Sequence, residues 1–74
     1  MYKAGDILYD DNYGLTVTLL ERFFKKNNKP AWKMLVNANE LKYDESNVGD
    51  IIVCGEEHLK NFFEPVDKRK IDNG

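Results

Sequence analysis

The stretch GLTVTLLERFFKKNNKPAWKMLVNA, residues 14–38, decides the fold. Its first arm opens with apolar Leu15, Val17 and Leu19 alternating against Thr16 and Thr18, the two-residue period of a half-buried strand. Its second arm sets Trp32, Met34 and Val36 on one side and Lys33 and Asn37 on the other. Between the arms, Asn tolerates left-handed backbone geometry, and Pro30, which cannot donate into a central ladder, marks the end of the loop. The segment predicts one long β-hairpin with its turn at residues 26–30. Alternation fails at the doublets Leu19-Leu20 and Phe23-Phe24 and at Leu35. Adjacent strand residues point to opposite faces, so either a bulge shifts the phase or the strand bends until both faces are covered. Two flat ten-residue arms would each run about 33 Å at ~3.3 Å per residue. A small domain needs them curled, and the expected hairpin is bent.

Around the hairpin the chain reads as short elements. Ala4 to Asp10 is a Gly-Asp turn feeding a strand, and Asp10-Asp11-Asn12-Tyr13-Gly14 is a polar turn. Residues 39–47 fit either a short exposed edge strand or an ordered loop. Val48-Gly49-Asp50-Ile51-Ile52 echoes Ala4-Gly5-Asp6-Ile7-Leu8, which predicts that both segments enter a strand through the same turn. In residues 56–63 the acids come first, Lys60 follows, and Leu59, Phe62 and Phe63 fall at i, i+3 and i+4. That spacing predicts a short helical turn with one apolar face. Glu64-Pro65-Val66 reads as a closing strand, because the residue before proline is pushed to extended geometry.

At 74 residues the chain is expected to form one domain over residues 1–66, with residues 67–74 a flexible tail. A domain of that size buries only about 60% of its unfolded surface, so its aromatic residues must supply much of the core. Cys54 is the only cysteine, which excludes an internal disulfide and fits a reducing compartment. No apolar run approaches ~20 residues and the N-terminus does not read as a signal peptide, so a cytoplasmic protein with no membrane role is expected. The net charge of −2 is unevenly laid out. Residues 22–33 carry +5 with no acid, while residues 34–67 carry −6. A basic hairpin tip on an acidic body would steer a charged partner to one end.

Lys3-Ala4-Gly5-Asp6-Ile7-Leu8 resembles the Gly-Asp-apolar lead-in of small bacterial and phage SH3-like barrels of the chromo and KOW type. Residues 56–66 resemble their closing helical turn and last strand, so the resemblance spans residues 3–66. It implies a mainly β fold, an SH3-like small barrel of about five strands with a long bent hairpin (14–38) and a short helical turn (56–63). It further implies a binding protein, of the kind with which a phage or mobile element docks on and inhibits a host enzyme. Ile7-Leu8-Tyr9-Asp10-Asp11 is similar to the Ala-Leu-Tyr-Asp-Tyr signature of eukaryotic SH3 domains but lacks its last tyrosine. No Pro-Ser-Asn-Tyr stretch follows, so a proline-peptide groove is not implied.

No catalytic, cofactor or metal signature stands in the chain, and a non-enzymatic binding module is expected. Protein is the first-ranked partner. The candidate surface is the hairpin tip with Arg22, Lys25, Lys26, Lys29 and Lys33, together with Tyr9, Tyr13 and Tyr43 as exposed aromatic anchors. The alternative is nucleic acid, since the same cations interleave with Phe23, Phe24 and Trp32 and could pair with phosphates while a ring stacks on a base. Against it, lysine is common at hairpin ends as protection from edge pairing, and Trp32 and one phenylalanine suit the core. The protein is expected to be a monomer or an edge-strand homodimer. The acidic residues Asp6, Asp10, Asp11, Asp44, Glu45, Asp50, Glu56 and Glu57 could form one negative docking surface, but acids ordinarily just hydrate a surface. Cys54 with His58 could make a thiol nucleophile and its base, yet a cysteine ending an apolar run reads as buried and inert. Asp10 to Gly14 has oxygen donors but not the spacing of an EF-hand loop, and reads as a turn.

Overall fold

The computed structural model describes residues 2–43 and 45–66, so the expected tail, residues 67–74, lies outside the described residues. The chain is mainly β. Its elements are β1 (Ile7–Asp10), β2 (Leu15–Phe24), β3 (Pro30–Asn39), β4 (Ile51–Gly55), α1 (Glu56–Phe62) and β5 (Glu64–Pro65). The strands form one antiparallel sheet in the order β4-β3-β2-β1-β5.

The long hairpin forms as its alternation predicts, with a tip closed by Lys25 N–H to Lys29 O at 2.9 Å and Asn28 N–H to Lys25 O at 2.9 Å. Asn28 takes a φ of 63°, and Pro30 pairs with Phe24 at the first position of β3. Between Leu19, which pairs with Met34, and Glu21, which pairs with Lys33, Leu20 is the extra residue of a bulge. The bulge accounts for the doublet Leu19-Leu20, while Phe23 and Phe24 lie beyond it in regular register on opposite faces. Two-sided burial does not occur, because Leu20 and Phe24 are exposed and Phe23 is half-buried. A second irregularity between Thr16 and Val17 leaves Asn37 without a counterpart on β2. Leu35, which also broke the alternation, faces the outer side with Thr18 and Ile51 and is half-buried.

The core lies on the inner face, where Leu8, Leu15, Val17, Leu19, Trp32, Met34 and Val36 meet Leu59 of α1 and Phe63. Leu59 is the one buried residue of α1. Phe62, expected on the same apolar face, is 46% exposed and stacks on His58 at 4.6 Å between centroids. The helix ends at Phe62 and the backbone turns extended at Phe63 (φ −113°, ψ 143°), which swings Phe63 into the core in its place.

The two Gly-Asp segments make the same turn. Gly5 and Gly49 have φ of 94° and 96°. Asp6 Oδ2 accepts from Lys3 N–H at 3.0 Å, and Asp50 Oδ2 accepts from Asn47 N–H at 2.9 Å. In each, the aspartate N–H also donates back three residues, at 3.1 and 3.0 Å. Of the stretch 39–47, Asn39 ends β3, and residues 40–43 and 45–50 form a loop rather than an edge strand, with Asn39 Nδ2 donating to Ser46 O at 2.7 Å and Lys42 N–H donating to Asn39 Oδ1 at 3.0 Å.

Candidate functional site

The bulge at Leu20 sets the chemistry of the tip. It moves Glu21 to the outer face beside Lys33 and turns Arg22 to the inner face opposite Trp32. Trp32 in turn pairs with Cys54, and α1 begins two residues after Cys54, so Glu56 arrives over the same end of the sheet. Its carboxylate accepts from Arg22 Nε at 2.9 Å, Arg22 Nη2 at 3.3 Å and Trp32 Nε1 at 3.0 Å. The Arg22 guanidinium also lies over the Phe24 ring, 5.0 Å from its centroid. The hydrogen bonds from Arg22 first, and from Trp32, hold the Glu56 carboxyl below its ordinary value.

A group depressed in this way stabilises the fold above its unfolded value and loses that contribution as pH falls through its folded value. At pH 7, Glu56→Gln keeps an acceptor for Trp32 but loses the charge-assisted bonds, and is expected to cost about 1 kcal/mol, or about 4–8 °C in thermal midpoint. The gap between wild type and Glu56→Gln should close as pH is lowered below 4.5, the ordinary carboxyl value. Thermal melts followed by circular dichroism from neutral to acid pH check this. A gap of constant size would show that the carboxylate charge is not what Arg22 and Trp32 hold.

The tip cations do not share a face. Arg22 is bound to Glu56, and Lys33 points outward with its ammonium 3.6 Å from Glu21. Lys25 and Lys29 converge with Lys60 of α1 on a recess of about 310 Å³ that is also lined by Asn27, Pro30, Gly55, Glu56 and Glu57. Lys25 Nζ reaches within 4.0 Å of where a Gly55 side chain would begin. Among the described residues, Lys25, Lys26, Lys29 and Lys60 form no ion pair, whereas Glu56 at the recess is compensated by Arg22.

Tyrosines expected on one surface are also separated. Tyr9 is buried, with its hydroxyl bonded to Glu40 Oε1 at 3.2 Å, and is not a surface anchor. Its position opposite Thr16 and Glu64 puts it under neighbouring strands. Tyr13 and Tyr43 are 44% and 72% exposed, but they sit near the end of the hairpin away from the tip, before β2 begins and after β3 ends. Tyr13 joins His58 and Phe62 of α1, with Asp10 and Asn12, around a second recess of about 300 Å³. Asp10 is buried, and its Oδ1 accepts from Asn12 N–H at 2.8 Å and Tyr13 N–H at 3.4 Å, which fixes the turn carrying Tyr13. Among the described residues, the acids do not gather with Cys54 or His58 into a group of three able to hold a metal.

Cys54 is half-buried, and burial pushes its thiol up to about 11. At neutral pH it stays protonated and is a poor nucleophile. His58 lies against Phe62 and Phe63. Among the described residues, no helix is long and apolar enough to cross a membrane.

Two features escaped the sequence reading. Glu56 read as a first-turn helix acid, and nothing local marked its bond to Arg22, 34 residues away. The second recess was also missed, although His58 and Phe62 at i and i+4 are a signal for a shared helix face. No family model matches the chain, and neither a curated protein nor a solved structure is significantly similar to it.

Proposed function

We propose that this chain is a non-enzymatic, SH3-like binding module that docks on another protein along α1. The observation that carries the reading is that α1 has a recess on either side. Lys25, Lys29 and Lys60 line one, and Tyr13, His58 and Phe62 line the other. Unpaired ammonium groups favour carboxylates on the partner, and exposed rings supply the area that anchors an interface. The fitting partner therefore offers an acidic segment followed by an apolar side chain. The sheet order and the helix ahead of the last strand support the barrel resemblance, and an inhibitor that occupies a host enzyme would work through such a surface.

The test is affinity capture from a lysate of the native host with the tagged full chain and two variants, Lys25→Glu/Lys29→Glu and Tyr13→Ala. A protein retained by wild type and depleted at least about tenfold by each variant, a loss of ~1.4 kcal/mol or more, supports the reading. Nothing above background with wild type, or equal retention by all three, rejects it.

A second reading, nucleic-acid binding, is favoured by one observation. Phe24 is 59% exposed beside Arg22, Lys25 and Lys26, where a base could stack. The commitment of Arg22 and Lys33 to acids weakens it, because a phosphate track needs its cations available. Fluorescence anisotropy with a labelled single strand of about 20 nucleotides separates the two, since nonspecific contacts with a basic tip should appear at low salt. Binding that is lost in Lys25→Glu/Lys26→Glu selects nucleic acid; no binding removes it.

A further inference from the structure

The sheet ends differently at its two edges. The β5 edge is two residues long, Glu64–Pro65, carrying a charge and a proline that cannot donate, the usual protections against a further strand. The β4 edge, Ile51–Gly55, has neither: its sequence IIVCG contains no charge and no proline. It pairs with β3 on one side, and among the described residues no strand lies on the other. Every second pair of its backbone N–H and C=O groups is thus aimed at an unfilled lane. Its outward side chains are apolar and exposed, Ile51 at 56% and Val53 at 54%.

Charge then decides what fits. Asp50 and Glu56 bracket the strand. A two-fold axis through Val53 would set Asp50 opposite the Arg22-bound Glu56 of a second copy and Ile51 opposite Gly55, which has no side chain, and an axis through Ile52 would do neither. In the latter register Ile51 faces Val53 of the other copy, Val53 faces its Ile51, Ile52 faces Ile52, and Asp50 faces the neutral Cys54. Like charges no longer oppose one another, and both cross-strand pairs on the outer face are apolar. The outer row Ile7, Thr18, Leu35, Ile51 also continues across the seam into Val53 of the second copy.

We propose that β4 is a self-association edge, where two copies of this chain pair antiparallel about Ile52 to form one ten-stranded sheet. The seam uses backbone groups and outer-face side chains, leaving the recesses beside α1 open, so dimerisation is independent of partner docking. A seam of one five-residue strand per copy is small for a stable interface, below the ~1,200 Å² of standard complexes, and the dimer forms in a concentration-dependent way.

Sedimentation equilibrium of the full chain tests this from about 1 µM to about 1 mM, the range of weak association. Wild type is expected to rise toward twice the chain mass. Val53→Lys, which sets an ammonium against Ile51 at both ends of the seam, is expected to stay at the chain mass while its far-ultraviolet circular dichroism is unchanged. Lys25→Glu/Lys29→Glu is expected to associate like wild type. Register is read separately by oxidative cross-linking in a Cys54→Ala background. Cysteines replacing Ile52 lie directly opposite, with Cα atoms about 4.5–5.5 Å apart, within disulfide reach. Cysteines replacing Ile51 each lie one position from the axis, two positions apart along the seam, and are about 8 Å apart, beyond it. Cross-linking of Ile52→Cys alone supports the seam even if Val53→Lys fails to fold. A wild type that remains monomeric throughout, or a dimer whose Ile52→Cys form does not cross-link, overturns the proposal.

Discussion

Leu59→Ala is expected to destabilise the protein by about 2–5 kcal/mol, the range for truncating a fully enclosed leucine. Leu59 has no exposed surface, and it is the only side chain through which α1 enters the core. A 74-residue domain has little stability to spare, so the loss should appear as a thermal midpoint lower by about 10 °C or more or as a chain unfolded at ambient temperature. Thermal denaturation followed by circular dichroism decides it. Phe62→Ala, about one turn along the same helix but exposed and stacked on His58, is the control and should cost well under half as much. Equal losses would mean that α1 is not anchored through Leu59.

Gly14→Ala carries the second large effect. Gly14 has a φ of 66°, which strains any residue with a Cβ, at about 1–3 kcal/mol. Here the space is also taken. An added Cβ would lie 2.8 Å from Leu41 Cγ and 2.9 Å from the Leu41 backbone nitrogen. The strand start would have to part from the loop that follows β3, breaking the bond from Glu40 N–H to Gly14 O at 2.9 Å. Gly49→Ala has a comparable φ of 96° but open space around it, so it reports the strain alone. Chemical denaturation of the three proteins should order them wild type, Gly49→Ala, Gly14→Ala, from most to least stable. If the two variants unfold together, the contact with Leu41 has no energetic weight.

The positions that make these effects large differ in how visible they were. Strand periodicity located the hairpin because Leu15, Val17, Leu19, Trp32, Met34 and Val36 all face one core, and burial writes a period of two into the chain. The paired Gly-Asp turns were visible for a local reason: a left-handed glycine followed by an aspartate that accepts from three residues back is complete within four residues. The doublet at 19/20 announced a disturbance without saying which kind, since a bulge and a two-sided strand give the same apolar pair. Only the pairing partner on β3 distinguishes them.

The functional surface was less legible, because it is made of distant segments. Arg22, Lys25, Lys29 and Lys33 are equivalent as letters, yet one is bound to Glu56, two face a recess and one points to the opposite side. Exposure of Tyr9, Tyr13 and Tyr43 was equally undecidable from the chain. Tyr9 lies in a strand flanked by two others, and Tyr43 in a loop flanked by none. The distinction depends on sheet order, which no local pattern encodes.

The single surplus residue in β2 has an implication for how such a sequence can drift. Below it, inside means hydrocarbon; above it, inside means a guanidinium clasping a carboxylate. Drawing Leu20 into the ladder would exchange the two environments for the last four residues of the strand, sending Glu21 toward the indole and Arg22 to the bulk solvent, whereas removing it would leave both on the faces they now occupy. Descendants can therefore vary the letters of that strand, or shed the surplus residue, so long as no further residue enters the pairing.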